Sequence, residues 1–67
     1  MDVDKARLGA VATVFLDFVR LGYDQSAAED ETVRAAKRTC DVSQIMRGIE
    51  LGRKLRQRHE AAAATTR

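Results

Sequence analysis

The 67-residue sequence has no proline and no tryptophan, one cysteine, one histidine and four glycines. Each scarcity removes a class of structure or chemistry. With no proline, few glycines and plentiful Ala, Arg, Leu, Glu and Gln, little in the chain opposes helix. A lone Cys40 excludes an intramolecular disulfide and a cysteine-based zinc site. It points to a reducing, cytoplasmic setting in which Cys40 acts as a small buried hydrophobe. A lone His59, set between Arg58 and Glu60 and followed by an alanine run, excludes a paired-histidine metal motif and reads as a solvated side chain. Neither a glycine-rich phosphate loop nor a serine placed with a base occurs. Asp2 and Asp4, and the run Glu29, Asp30 and Glu31, read as charges favourable to helix starts rather than as metal ligands. The expectation is a protein without cofactor, metal or small-molecule substrate, and not an enzyme.

Long apolar runs are also missing. The stretch from Leu8 to Val19 contains Asp17 and falls short of the ~20 apolar residues that a membrane span needs. Asp2 and Asp4 precede it, so it lacks the net positive start of a secretory signal, and no membrane association is expected. Hydrophobic residues at 45% and charged residues at 33% describe a globular chain. At 7.4 kDa it holds one domain, read as residues 1–60 followed by a flexible tail at 61–67. A domain this small buries only about 60% of its unfolded surface and is marginal alone, which excludes a multi-domain enzyme or a buried cofactor cavity.

Apolar periodicity predicts an all-α chain of two or three helices, at about 3–21, 27–38 and 42–60. In the first, Leu8, Val11, Ala12, Phe15, Phe18 and Val19 share a sector that Val14, Leu16 and Leu21 widen to some two-thirds of the circumference. Such a helix must be covered on more than one side, by two further helices or by a second subunit. The expectation is a small helical bundle completed by dimerisation. Val11, Phe15, Phe18 and Val19 of the first helix and Ile45, Ile49, Gly52 and Leu55 of the third would form its core and dimer interface. Gly22 is placed as a left-handed C-cap. Ser26 with Glu29 reads as a capping box that opens the second helix, with Asp30 and Glu31 in its first turn.

The apolar phase flips between Val33, Ala36 and Cys40 and the following Val42, Ile45, Met46 and Ile49. Asp41 stands at an N-cap position with Gln44 three residues on, which favours a break at 39–41 over a helical hairpin with one long arm from 27 to 60. Gly48 and Gly52 each cost about 1 kcal/mol relative to Ala inside a helix, so their presence signals a closely approaching backbone.

The net charge of +2 hides an asymmetry. Residues 1–31 hold seven acids and three bases, residues 32–67 three acids and nine bases. The halves should attract each other within or between subunits. Arg47, Arg53, Lys54, Arg56 and Arg58 concentrate the positive charge on the third helix, with Arg47, Lys54 and Arg58 on one face and Arg53 and Arg56 pointing elsewhere. These five are the candidate partner-binding residues. The aromatics Phe15, Phe18 and Tyr23 lie away from them, which speaks against base stacking.

The stretch Thr32 to Ile49 also resembles, in part, a helix-turn-helix unit. Ala36 falls on its small position and Met46 and Ile49 on packing positions, but Cys40 stands where Gly is usual and Asp41 where an apolar residue is. The likeness identifies no family; it implies Ser43, Gln44 and Arg47 as DNA-facing residues. The primary expectation is a homodimeric helical interaction module, an adaptor or inhibitor that blocks or modulates a partner protein with an acidic surface. The alternative is a duplex DNA-binding regulator using residues 32–58.

Overall fold

A computed structural model describes residues 3–65 as three packed helices, α1 (Val3–Arg20), α2 (Gln25–Ala36) and α3 (Val42–Thr65). The break that decides the architecture is built as the sequence implies. The Gln44 amide N–H donates to Asp41 Oδ1 (2.8 Å) and the Asp41 N–H donates to Gln44 Oε1 (3.0 Å), a reciprocal capping box that starts α3. Before it, the N–H groups of Thr39 and Cys40 both donate to the Ala36 carbonyl and close the end of α2.

The end of α1 also follows expectation. Gly22 adopts φ +104°, its N–H donates to the Val19 carbonyl, and the Tyr23 N–H donates to the Phe18 carbonyl. This is a Schellman end. The apolar contact that accompanies it is the edge-on packing of the Phe18 and Tyr23 rings, with centroids 5.1 Å apart.

The start of α2 differs from the sequence reading. Asp24, not Ser26, is the N-cap: its backbone is extended and its Oδ1 accepts from the Ala27 N–H at 2.8 Å. Aspartate caps as well as serine, and starting two residues earlier adds helix. Asp30 and Glu31 consequently lie beyond the first turn. At the other end of the chain, α3 runs past the expected boundary at Glu60 to Thr65, because alanine has the highest helix propensity and Ala61–Ala64 continue the ladder. Of the tail expected at 61–67, Thr66 and Arg67 lie outside the described residues.

α1 and α3 run parallel. Gly48 faces Leu8 and Val11, Gly52 faces Ala12 and Phe15, and Asp4 bonds to Gln44 and Arg47, so the two helices advance together. The expected close approach occurs at the two glycines. A Cβ on Gly48 would lie 2.5 Å from Val11 Cβ and 3.1 Å from the Leu8 carbonyl oxygen; one on Gly52 would lie 2.8 Å from the Phe15 ring. α2 returns antiparallel: Gln25 shares a groove with Arg53, Arg56, Gln57 and Glu60, while Ala35 and Ala36 border Ala10, Val11 and Val14. The result is a flat body of 41 × 29 × 14 Å.

Phe15 is fully buried at the centre, with Val11, Ala28, Ala36, Ile45 and Ile49 around it and Leu16, Phe18, Val19 and Cys40 packed against that cluster. Thr32 is buried too, and its hydroxyl donates to the Ala28 carbonyl at 2.6 Å. Among the described residues no buried side-chain polar atom lacks a partner. Of the two ways to cover α1, the first is realised: α2 and α3 of the same chain wrap it.

Val42 and Met46, which share an apolar phase with Ile45 and Ile49 in the sequence, are not part of the core. Val42 is 76% and Met46 60% exposed. Gly48 and Gly52 let α1 in on their own side and so centre the buried face on Ile45, Gly48, Ile49 and Gly52, which rotates Met46 out, while Val42, in phase with Ile49, is the first residue of α3 and sits at the exposed end of the helix. Leu21, counted in the wide apolar sector of α1, follows the last helical residue and is 73% exposed.

Candidate protein-interaction surface

On a helix turning about 100° per residue, the arc opposite Ile45, Ile49 and Gly52 carries Arg47, Leu51, Lys54 and Arg58. The side chains form two adjacent tracks, each stepping by about one turn. Lys54 and Arg58 make the cationic track with Arg47 at its N-terminal end, and Leu51 and the half-buried Leu55 make the apolar one. Leu51 is 37% exposed.

The five basic candidates fall into three situations. Arg53 pairs with Glu50 (3.7 Å), which itself lies on the outward arc one turn before Lys54, and the half-buried Arg56 pairs with Glu60 (3.2 Å) away from that arc. Arg47 lies on the arc but is engaged: a terminal guanidinium nitrogen donates to Asp4 Oδ1 at 3.1 Å, and Nε donates to the Ser43 carbonyl at 3.4 Å. Lys54 and Arg58 are exposed and make no ion pair among the described residues. The expected grouping of Arg47, Lys54 and Arg58 on one face is therefore what the geometry has, with one of the three already holding a carboxylate.

Asp4 is the residue that sequence reasoning passed over, as a mere charge bias near the N-terminus. Its Oδ1 accepts from Gln44 Nε2 at 3.0 Å as well as from Arg47. The hydrogen bond from the Gln44 amide holds its carboxyl below the ordinary value of 3.8; desolvation opposes this, and the Arg47 guanidinium and the charge of Arg7 add to the lowering. The buried Gln44 thus links two carboxylates: it caps α3 with Asp41 and positions Asp4 over the start of α3. The attraction between the acidic and basic halves is realised at this place. No spacing along the chain announces it, because Asp4 and Arg47 meet only once the register of α1 on α3 is fixed.

The residues expected to make a core and dimer interface are divided. Val11, Phe15, Ile45, Ile49 and Gly52 are buried inside the single chain; Phe18, Val19 and Leu55 are half-buried. Of the three residues implied as DNA-facing, Gln44 is turned inward and Arg47 is held by Asp4, leaving Ser43 exposed.

Among the described residues no group of three or more His, Cys, Asp or Glu side chains is arranged to hold a metal ion, and no helix is long and apolar enough to cross a membrane. His59 is exposed on the rim of a shallow groove with Leu16, Val19, Arg20 and Arg56. Compared with known proteins, the chain matches no family model, no curated protein and no solved structure at a significant level.

Proposed function

We propose that this chain is a small non-enzymatic interaction module, an adaptor or inhibitor, that docks the outward arc of α3 on an acidic surface of a partner protein. The observation that carries the reading is the pair Lys54 and Arg58: two exposed cations one turn apart, without ion pairs among the described residues, beside the partly exposed Leu51. The other arginines of α3 in its described ion pairs, Arg47, Arg53 and Arg56, are matched with acids of the chain itself, which leaves Lys54 and Arg58 as that helix's cations without ion pairs among the described residues. Duplex DNA suits the arc less well, since an apolar track contributes little against phosphates and Gln44 is not presented.

Self-association is the second part of the proposal. With Phe15 and its neighbours used inside the chain, a second copy would meet residues left outside, Leu21, Val42 and Met46 foremost. Sedimentation at micromolar concentration tests it; a compact, cooperatively folded monomer removes the dimer and leaves the α3 surface untouched.

The partner is tested by crosslinking and affinity purification from the native host with the wild-type chain and a Lys54→Glu, Arg58→Glu variant whose helicity is first matched by circular dichroism. A stoichiometric partner recovered with wild type and lost with the variant is the expected result. Equal recovery with both would show that α3's outward arc is not the docking surface.

A further inference from the structure

We infer that the partner segment seated on α3 is itself an acidic amphipathic α-helix, with apolar residues three and four apart along one face and carboxylates one turn apart on the flank of that face. This rests on the reading above, that the outward arc of α3 is the docking surface, and specifies what occupies it. The spacing of the arc selects this shape. Lys54 and Arg58 are separated by about 6 Å of helix rise, as are Leu51 and Leu55, so charge and apolar contact are offered on the same repeat along two adjacent tracks. A helix laid alongside presents side chains on that repeat; a β-strand, whose same-face side chains recur about every 6.6 Å but all in one line, matches only one of the tracks.

Asp4 already shows how a carboxylate sits at the end of this arc. It approaches Arg47 from the neighbouring helix α1 and places one oxygen 3.1 Å from the guanidinium while α1 and α3 run parallel. A partner carboxylate at Lys54 or Arg58 would repeat that arrangement further along α3, where α1 supplies no acid. The chain's own helices are poor candidates for the occupant. Asp30 is the acid exposed on α2, beside Arg34, Lys37 and Arg38; on α1 exposed Asp17 is followed by exposed Arg20. α2 does carry the run Glu29, Asp30 and Glu31, but Glu31 pairs with Arg34 of its own helix and Lys37 and Arg38 follow, so a second copy brings cations along with its acids and is the less complementary ligand.

The test uses the full chain and four probes: a synthetic peptide with Leu at helical 3-4 spacing flanked by Glu, an isomer of the same composition shuffled so that its Leu residues share no face, poly-glutamate, and duplex DNA. Binding is read by fluorescence anisotropy, peptide helicity by circular dichroism, and the surface by backbone amide shifts. The facial peptide is expected to bind at least about tenfold more tightly than its isomer, to gain helicity on binding, and to shift Leu51, Lys54 and Arg58. Leu51→Gln and Lys54→Glu, each checked for unchanged helicity, should each weaken it by about tenfold.

Equal binding of the isomer or of poly-glutamate, or an unaltered affinity for Leu51→Gln with a weakened Lys54→Glu, would overturn the helix inference while leaving an acidic partner in place. Preference for the duplex, shifts confined to another face, or no binding by any probe would overturn the docking surface and the helix together.

Discussion

Gly48 and Lys54 belong to the same helix and answer to opposite demands. On the inward side of α3, Gly48 and Gly52 have no room for a methyl group, because α1 lies against them with Val11, the Phe15 ring and the Leu8 and Ala12 carbonyls at contact distance. On the outward side, Lys54 and Arg58 are exposed and make no ion pair among the described residues. The inward residues are explained by packing; the outward ones have no intramolecular explanation. Two glycines inside a helix cost backbone entropy and are tolerated only where close approach compensates. Two uncompensated cations raise the positive potential of one arc and are neutral for folding. The difference separates the residues that make the fold from those free to serve a partner.

The comparison breaks most visibly at its inner side. Phe15→Ala removes the largest fully buried side chain and is expected to destabilise by about 3–5 kcal/mol, enough to unfold most of so small a domain at 25 °C. Urea titration followed by far-ultraviolet circular dichroism reads it; a variant within about 1 kcal/mol of wild type would mean that α1 is not the centre of the core.

One chemical change at two glycines sharpens it further. Gly9 lies in α1 with nothing within 4 Å of the position its Cβ would take, so Gly9→Ala should follow helix propensity and stabilise by about 0.5–1 kcal/mol. Gly48→Ala should do the reverse, because overpacking against Val11 costs roughly 1–3 kcal/mol and exceeds the propensity gain. Shifts of the same sign at both positions would refute the close approach of α1 and α3.

The smallest effect sits where the two sides meet. Asp4 has a lowered pKa in the folded chain, so its contribution to stability is present above the unfolded value near 3.8 and is lost as the pH falls through the folded value. Asp4→Asn should therefore be slightly less stable than wild type at pH 7, and the gap should narrow at a pH below 3.8. Thermal midpoints of the two proteins at both pH values provide the check, and a gap that does not narrow on acidification would remove the Gln44 and Arg47 contacts as its source.

Much of this architecture was legible before any coordinates. Gly22 and the pair Asp41 and Gln44 mark both turns, and Gly48 with Gly52 marks the face against which another helix lies. Arg47, Lys54 and Arg58 fall on one arc because helical phase alone puts them there. The misreadings are as informative. Ser26 and Asp24 are both competent caps two residues apart, and choosing between them depends on the short connection from Gly22, which leaves Asp24 extended. Val42 and Met46 look like core because their phase lies near that of Ile45 and Ile49, but Met46 falls at the edge of a stripe whose glycine side α1 occupies, and Val42 is the first residue of α3, at the exposed end of the helix.

What the sequence determined by itself is whatever depends on neighbours within a turn or two: helix content, the positions of both breaks, the capping box, and which residues of α3 share an arc. These follow from bonds between residues three to five apart, as in the end at Gly22 and the start at Asp41, and chain connectivity places those groups together before any packing occurs. Only the tertiary structure decided that α1 is covered by its own chain and that Asp4 takes Arg47 while Lys54 and Arg58 make no ion pair among the described residues. Those outcomes hang on how far α1 slides along α3. That slide is set by Phe15 and Val11 meeting Gly52 and Gly48 across some forty residues of sequence, a distance over which local periodicity carries no register.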